Sequence, residues 1–185
     1  MSMRKIRKAL ALTYFYIYNR IAPAFLKLDD KGVVFLTDAH ERLDGNLKAI
    51  KDYIEAEKFD LRIQSFCRGD RRKAISFAEF WAICRAMTSC KYIILDDFYG
   101  LTSTMKLRDG QKLIQLWHGS GAFKKFGYSR LEADMNPRVV HSGYRKYTGA
   151  LVSAEGVRKC FAEAFGISVD KVKALGSPRS DMLFD

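Results

Sequence analysis

"GVVFLTDAHERLDGNLKAIKDYIEAEKFDLRIQSF", residues 32–66, carries the change of hydrophobic period that decides the fold. It opens with a short β-branched and aromatic run, Gly32 to Leu36, which reads as a buried strand. Leu47, Ile50 and Ile54 then recur on one face of a helix, with Lys48, Lys51, Asp52 and Glu55 on the other. A second apolar run, 61–66, follows at once. Strand, amphipathic helix, strand is a βαβ unit, whose two strands run parallel. Asp44 or Asn46 is the expected cap of the helix.

The same alternation continues outward. Ser76 and Glu79 stand in capping-box spacing, so a helix is expected over 76–87. "KYIIL" (91–95) and "KLIQLW" (112–117) read as the third and fourth strands. "GALVS" (149–153) reads as a fifth, followed by a helix through Phe165 that stops at Gly166. "VKAL" (172–175) is a last short strand running into "GSPRSD". Strands alternating with helices predict an α/β domain: a Rossmann-like, mainly parallel sheet with flanking helices. The segment 96–111 is a long connection.

Hydrophobic residues make up 48% and charged residues 29% of the 185, a balance that favours one ordered domain over a low-complexity tail. The net charge of +11 points to anionic partners: nucleic acid, an acidic membrane face or a phosphorylated substrate. Cys67, Cys84, Cys90 and Cys160 form no CxxC pair and no cluster of zinc spacing, so reduced, mostly buried thiols are expected. Arg4, Lys5, Arg7 and Lys8 precede an apolar run from Ala9 to Tyr18 that is too short to span a bilayer. Two readings stand for residues 1–28: a first helix docked on the domain, or a basic, aromatic helix lying on an anionic membrane surface.

Ligands of open parallel sheets sit beyond the carboxyl ends of the strands. "QLWHGSGAFKKFGYS" (115–129) puts His118 just past the fourth strand. Gly119 and Gly121 begin a dinucleotide fingerprint, but lysine stands where its third glycine belongs, and a Walker loop is absent. What remains is a turn whose backbone amides, with Lys124 and Lys125, suit an anion. His118 itself reads either as a catalytic group or as a core-edge histidine bonded to backbone. In "GSPRSD" (176–181), Arg179 reads either as half of a local ion pair with Asp181 or as a phosphate ligand. Asp96 and Asp97 point to opposite faces of a strand end and suit a polar network better than a metal. His40, in the loop 38–46, is placed on the same sheet edge as His118. The clusters Arg68/Arg71/Arg72/Lys73 and Arg145/Lys146 lack a nucleic-acid motif and read as solvated basic faces.

Four blocks, "FLTDAHERLDGNLKAIKDYI", "QLWHGSGAFKKFGYS", "VSAEGVRKCFAEAFGI" and "LGSPRSDMLF", together resemble the CDP-glycerol glycerophosphotransferases of teichoic acid biosynthesis in Gram-positive bacteria. The resemblance implies the N-terminal half of a GT-B-type fold, with residues 29–185 as the acceptor-side domain and the donor-binding C-terminal domain absent. It implies that His118 is the base that activates the terminal hydroxyl of a glycerol-phosphate chain. That hydroxyl would attack the β-phosphate of CDP-glycerol and expel CMP, with no metal or cofactor. An imidazole of ordinary pKa, about 6.5, suits such a base at neutral pH. Gly119, Ser120, Lys124, Lys125 and Arg179 are the implied phosphate-binding residues. The implied partners are CDP-glycerol, the polymer acceptor and an anionic membrane surface, at the cytoplasmic face of the cell membrane, with no nucleic acid. CDP-ribitol is the alternative donor. A fragment of this kind is expected to have little or no transferase activity alone. A non-catalytic module that binds membrane or anionic polymer is the competing reading.

Overall fold

The computed structural model describes residues 3–70, 74–119, 121–130 and 143–183. Six strands form one wholly parallel sheet in the order β2-β1-β3-β4-β5-β6. They are β1 (Asp29–Thr37), β2 (Arg62–Cys67), β3 (Cys90–Leu95), β4 (Lys112–Gln115), β5 (Gly149–Val152) and β6 (Val172–Ala174). Among the described residues four α-helices accompany them: α1 (Met3–Ile21), α2 (Gly45–Ala56), α3 (Phe77–Ser89) and α4 (Arg158–Phe165). All six strands expected from hydrophobic runs are present.

Side chains alternate across a strand, so β1 serves two cores at once. Val33 and Phe35 pack with Leu47 of α2, Ile94 and Leu116. Val34 and Leu36 face the larger core with Phe15 of α1, Ile83 and Met87 of α3, and Phe161 and Phe165 of α4. Coverage of both faces is what a parallel sheet with near-continuous apolar strands requires.

Local signals set the helix ends. The Asp44 carboxylate accepts from the Gly45 amide at 2.7 Å and is the cap of α2. The Ser76 hydroxyl accepts from the Glu79 amide at 3.1 Å, as its spacing predicts. Gly166, at φ 64°, ends α4 in the left-handed region.

The first helix is docked. Phe15 is fully buried in the main core, and the buried Asn19 donates to Thr88 Oγ1 at 3.3 Å and accepts from the Lys106 amide at 2.6 Å. The segment 96–111 contains only a 3₁₀ turn, Gly100–Ser103, and its carbonyls are held from outside. Lys146 donates to the carbonyls of Ser103, at 3.0 Å, and Met105. Burial lowers the Lys146 pKa, and Arg145 lies 4.4 Å over the ring of Tyr128. Lys146 is therefore a structural tether and not the solvated cation expected from its charge, while Arg145 is exposed as expected. Arg71, Arg72 and Lys73 lie outside the described residues, and Arg68 pairs with the buried Asp38 at 3.4 Å. All four cysteines are free, and burial pushes the thiols of Cys84 and Cys90 up to about 12 and about 11.

Candidate functional site

The chain leaves β1 toward β2 on one side and returns as β3 on the other. At such a switch point the loops beyond adjacent carboxyl ends diverge and leave room for a ligand. The ends of β1, β3 and β4 bring Asp38, Asp96 and His118 to this edge.

His118 is positioned by its predecessor. Leu116 still donates to the Leu95 carbonyl at 2.7 Å, but Trp117 turns to φ 54°, a left-handed value uncommon for a bulky side chain. This turn ends β4 at Gln115, two residues earlier than the apolar run suggests. It also swings the His118 ring parallel to Trp117, with centroids 4.6 Å apart. Phe126 stacks on the same indole at 4.4 Å and meets Phe161 and Phe165 of α4 edge-on. Trp117 is thus the middle of a three-ring stack whose inner end is core and whose outer end is an exposed imidazole.

His118 Nδ1 lies 3.2 Å from the Asp96 backbone carbonyl. A carbonyl only accepts, so Nδ1 carries a proton, and in the neutral ring Nε2 keeps a free lone pair. One nitrogen is thus bonded to backbone, while the ring is exposed at the edge.

Beneath it, Asp96 is buried, and its Oδ2 accepts from Thr37 Oγ1 at 3.2 Å. Its Oδ1 has no hydrogen-bond partner among the described residues. Burial raises the Asp96 pKa; the Thr37 bond and the charge of His40 pull it partly back. Asp97 Oδ1 accepts from the Phe98 amide at 2.6 Å, and the Asp97 carbonyl accepts from Gln115 Nε2 at 3.2 Å. The two aspartates thus join a polar network, as their opposed directions suggest.

The structure brings Arg179 to the same edge through an unexpected residue. Asn46, in the first turn of α2, donates to the Trp117 carbonyl at 2.8 Å. Its Oδ1 accepts from Ser177 Oγ at 2.9 Å and from the Arg179 amide at 3.1 Å. Arg179 Cδ lies 3.8 Å from where a Cβ on Gly45 would stand. Asn46 is therefore no helix cap: it joins the "WHG" and "GSPRSD" blocks. Gly119 lies over the indole, 3.3 Å from Trp117 Nε1 to a Cβ placed on it. Lys124 and Lys125 are exposed on the loop between Gly121 and the 3₁₀ turn Gly127–Arg130, without a hydrogen bond or ion pair among the described residues. Ser120 lies outside the described residues, as does the side chain of Asp181. A cavity of about 540 Å³ lies at the β2 side of the same carboxyl edge, lined by Arg42 of the loop after β1, Lys48, Cys67 and Glu79 among others; His118, Asn46 and Arg179 do not line it.

A sequence model of the CDP-glycerol:poly(glycerophosphate) glycerophosphotransferases matches residues 16–185. The chain belongs to this family. It is 33% identical over 184 residues to the teichoic acid poly(ribitol-phosphate) polymerase of Bacillus spizizenii, covering 98% of this chain and 29% of that protein. To the ribitol-phosphate polymerase TarK of Staphylococcus aureus it is 36% identical over 160 residues, covering 84% of this chain and 31% of the relative. The wall teichoic acid polymerase TagF shares the fold: TM-score 0.69 at 14% identity, over 100% of this chain and 50% of that one. The family member thus spans about a third of the polymerases it matches in sequence and half of the TagF chain. The expected half of a GT-B-like architecture is the observed one.

Proposed function

We propose that this chain supplies the acceptor side of a teichoic acid transferase, with His118 as the base on the acceptor's terminal hydroxyl. The reaction is transfer of glycerol phosphate from CDP-glycerol with release of CMP. The hydroxyl loses its proton to Nε2 as its oxygen bonds to the β-phosphorus, and the bond to the CMP oxygen breaks. The observation that carries this reading is the His118 imidazole, whose Nδ1 is committed to the Asp96 carbonyl and which is exposed at the carboxyl end of a parallel sheet. Arg179, Lys124, Lys125 and the Gly119–Ser120 backbone are the cations and amides offered to the phosphoryl oxygens. A ribitol-phosphate donor is the second form of this reading, because two relatives at 33% and 36% identity are ribitol-phosphate polymerases.

The test joins this chain to the donor-binding half of a relative and follows CMP release with CDP-glycerol or CDP-ribitol and a polyol-phosphate primer. The expected result is turnover in the joined protein, little in the 185-residue chain alone, and a loss of at least about a hundredfold in His118→Ala, the usual scale for a general base. Unchanged turnover in that variant would remove His118 from the reaction.

The same chain is proposed to sit peripherally on the membrane. Lys5, Arg7 and Lys8 are exposed on α1, beside Leu10 at 65% exposure, and Phe77 of α3 is 71% exposed. Among the described residues no helix is long and apolar enough to cross a bilayer.

A further inference from the structure

We infer that Asn46 is a positioning residue that sets the imidazole of His118 and the backbone of Arg179 in one fixed relation. The inference deepens the reading of His118 as the base and rests on it for its kinetic consequence only.

Three bonds make the case. Asn46 is 6% exposed, and both lone pairs of its Oδ1 and one proton of its Nδ2 are engaged. The amide orientation is fixed by its partners, since the Trp117 carbonyl only accepts and the Arg179 amide only donates. The residue thus touches both blocks that border the edge while lying on neither.

Its bond to Trp117 acts at a place where direction matters. With Trp117 at φ 54°, the orientation of this one peptide decides where His118 begins. The Asn46 amide holds the carbonyl of that peptide, and the next ring then reaches the Asp96 carbonyl with Nδ1. Without the clamp, the Trp117–His118 peptide is free to rotate out of an unfavourable region, and Nδ1 loses its acceptor. The neutral ring of an unconstrained histidine favours a proton on Nε2, which occupies the very atom a base must leave empty. Asn46 therefore acts on the reaction through the tautomer of His118.

The other two bonds fix the start of the 3₁₀ turn Pro178–Leu183 against the first turn of α2. Arg179 then cannot move relative to His118 unless Asn46 moves as well.

The test reads ¹⁵N shifts of histidines in the 185-residue chain at alkaline pH, with His118 assigned by its loss in His118→Gln. Wild type is expected to show His118 chiefly protonated at Nδ1. Asn46→Asp keeps the acceptor for Ser177 and Arg179 but removes the donor to Trp117, and Asn46→Ala removes both. Each is expected to shift the Nδ1-to-Nε2 proton ratio of His118 about threefold to tenfold toward Nε2, the factor one hydrogen bond commands. Ser177→Ala, which leaves the Trp117 bond intact, is expected to leave that ratio unchanged. In the joined transferase, Asn46→Asp should lower kcat while the donor KM stays within twofold. An unmoved His118 ratio in a folded Asn46 variant overturns the inference; so does wild-type His118 protonated chiefly at Nε2, a measurement that needs no variant to fold. A transferase indifferent to His118→Ala fails the base assignment instead and leaves the tautomer result standing.

Discussion

At the scale of single residues, His118 and Asp96 divide one task. The backbone of Asp96 fixes the imidazole proton, while its side chain lies buried against Thr37 with one oxygen unpartnered among the described residues. Burial raises the folded-state pKa of Asp96 above the ordinary 3.8, so the native chain holds this proton longer than the unfolded chain. Stability therefore falls as pH rises from about 3.8 through the raised value and stays lower above it. Asp96→Asn has no such proton to lose. Thermal melts of both proteins should show the variant gaining on wild type across that window and holding its gain at neutral pH; a gap independent of pH would contradict the raised pKa. The position of the histidine was legible in the sequence because it directly follows a strand, and its proposed role came from the family resemblance of its Trp-His-Gly block. Asn46 was not: an asparagine at a helix start reads as a cap, and its partners lie 71, 131 and 133 residues away. Charge misled in the same way at Arg68 and Lys146, whose partners are a distant carboxylate and two carbonyls.

At the scale of elements, period did most of the work. Each strand is a short apolar run, and the sheet-flanking helices are marked by a cap before α2 and α3 and a stop after α4, so their order could be read directly. The end of β4 could not, because the apolar run continues through Trp117 while the backbone turns left-handed for reasons of tertiary contact. The fate of α1 was equally hidden, since a tyrosine-rich basic helix suits a core and a membrane alike. The loop after His118 is held to α4 by aromatic stacking and by one close approach. Gly127 has φ 52°, and a Cβ there would stand 2.1 Å from the Ala164 carbonyl oxygen. Gly127→Ala must both adopt a disfavoured φ, which costs about 1–2 kcal/mol, and displace α4 or the loop. Urea unfolding should report a loss of at least about 2 kcal/mol. A loss below about 0.5 kcal/mol, the size of an ordinary surface change, would show that the loop is not seated on α4.

At the scale of the molecule, a net charge of +11 is laid over a parallel sheet whose carboxyl edge holds the candidate site. The exposed basic turn of α1 and the apolar side chains beside it form the surface proposed to meet anionic lipid. Each cation contributes about 1 kcal/mol at such a surface, so reversing Lys5, Arg7 and Lys8 to glutamate should weaken co-sedimentation with phosphatidylglycerol vesicles by about a hundredfold or more. Equal binding by the reversed protein would exclude this turn as the contact. Deleting α1 would be a poorer experiment, since it also removes Phe15 from the core. The Asn46 bonds carry a consequence for biosynthesis. A chain made from its N-terminus has α2 long before it has Ser177 and Arg179, which come 131 and 133 residues later. Translation adds about 5–20 residues per second, so Asn46 waits on the order of ten seconds for these partners. The sheet strands through β5 can pair in that interval, but the edge cannot close. The protein is thus built first as a scaffold, and its "WHG" and "GSPRSD" blocks are brought into register only once β6 and the turn after it have left the ribosome.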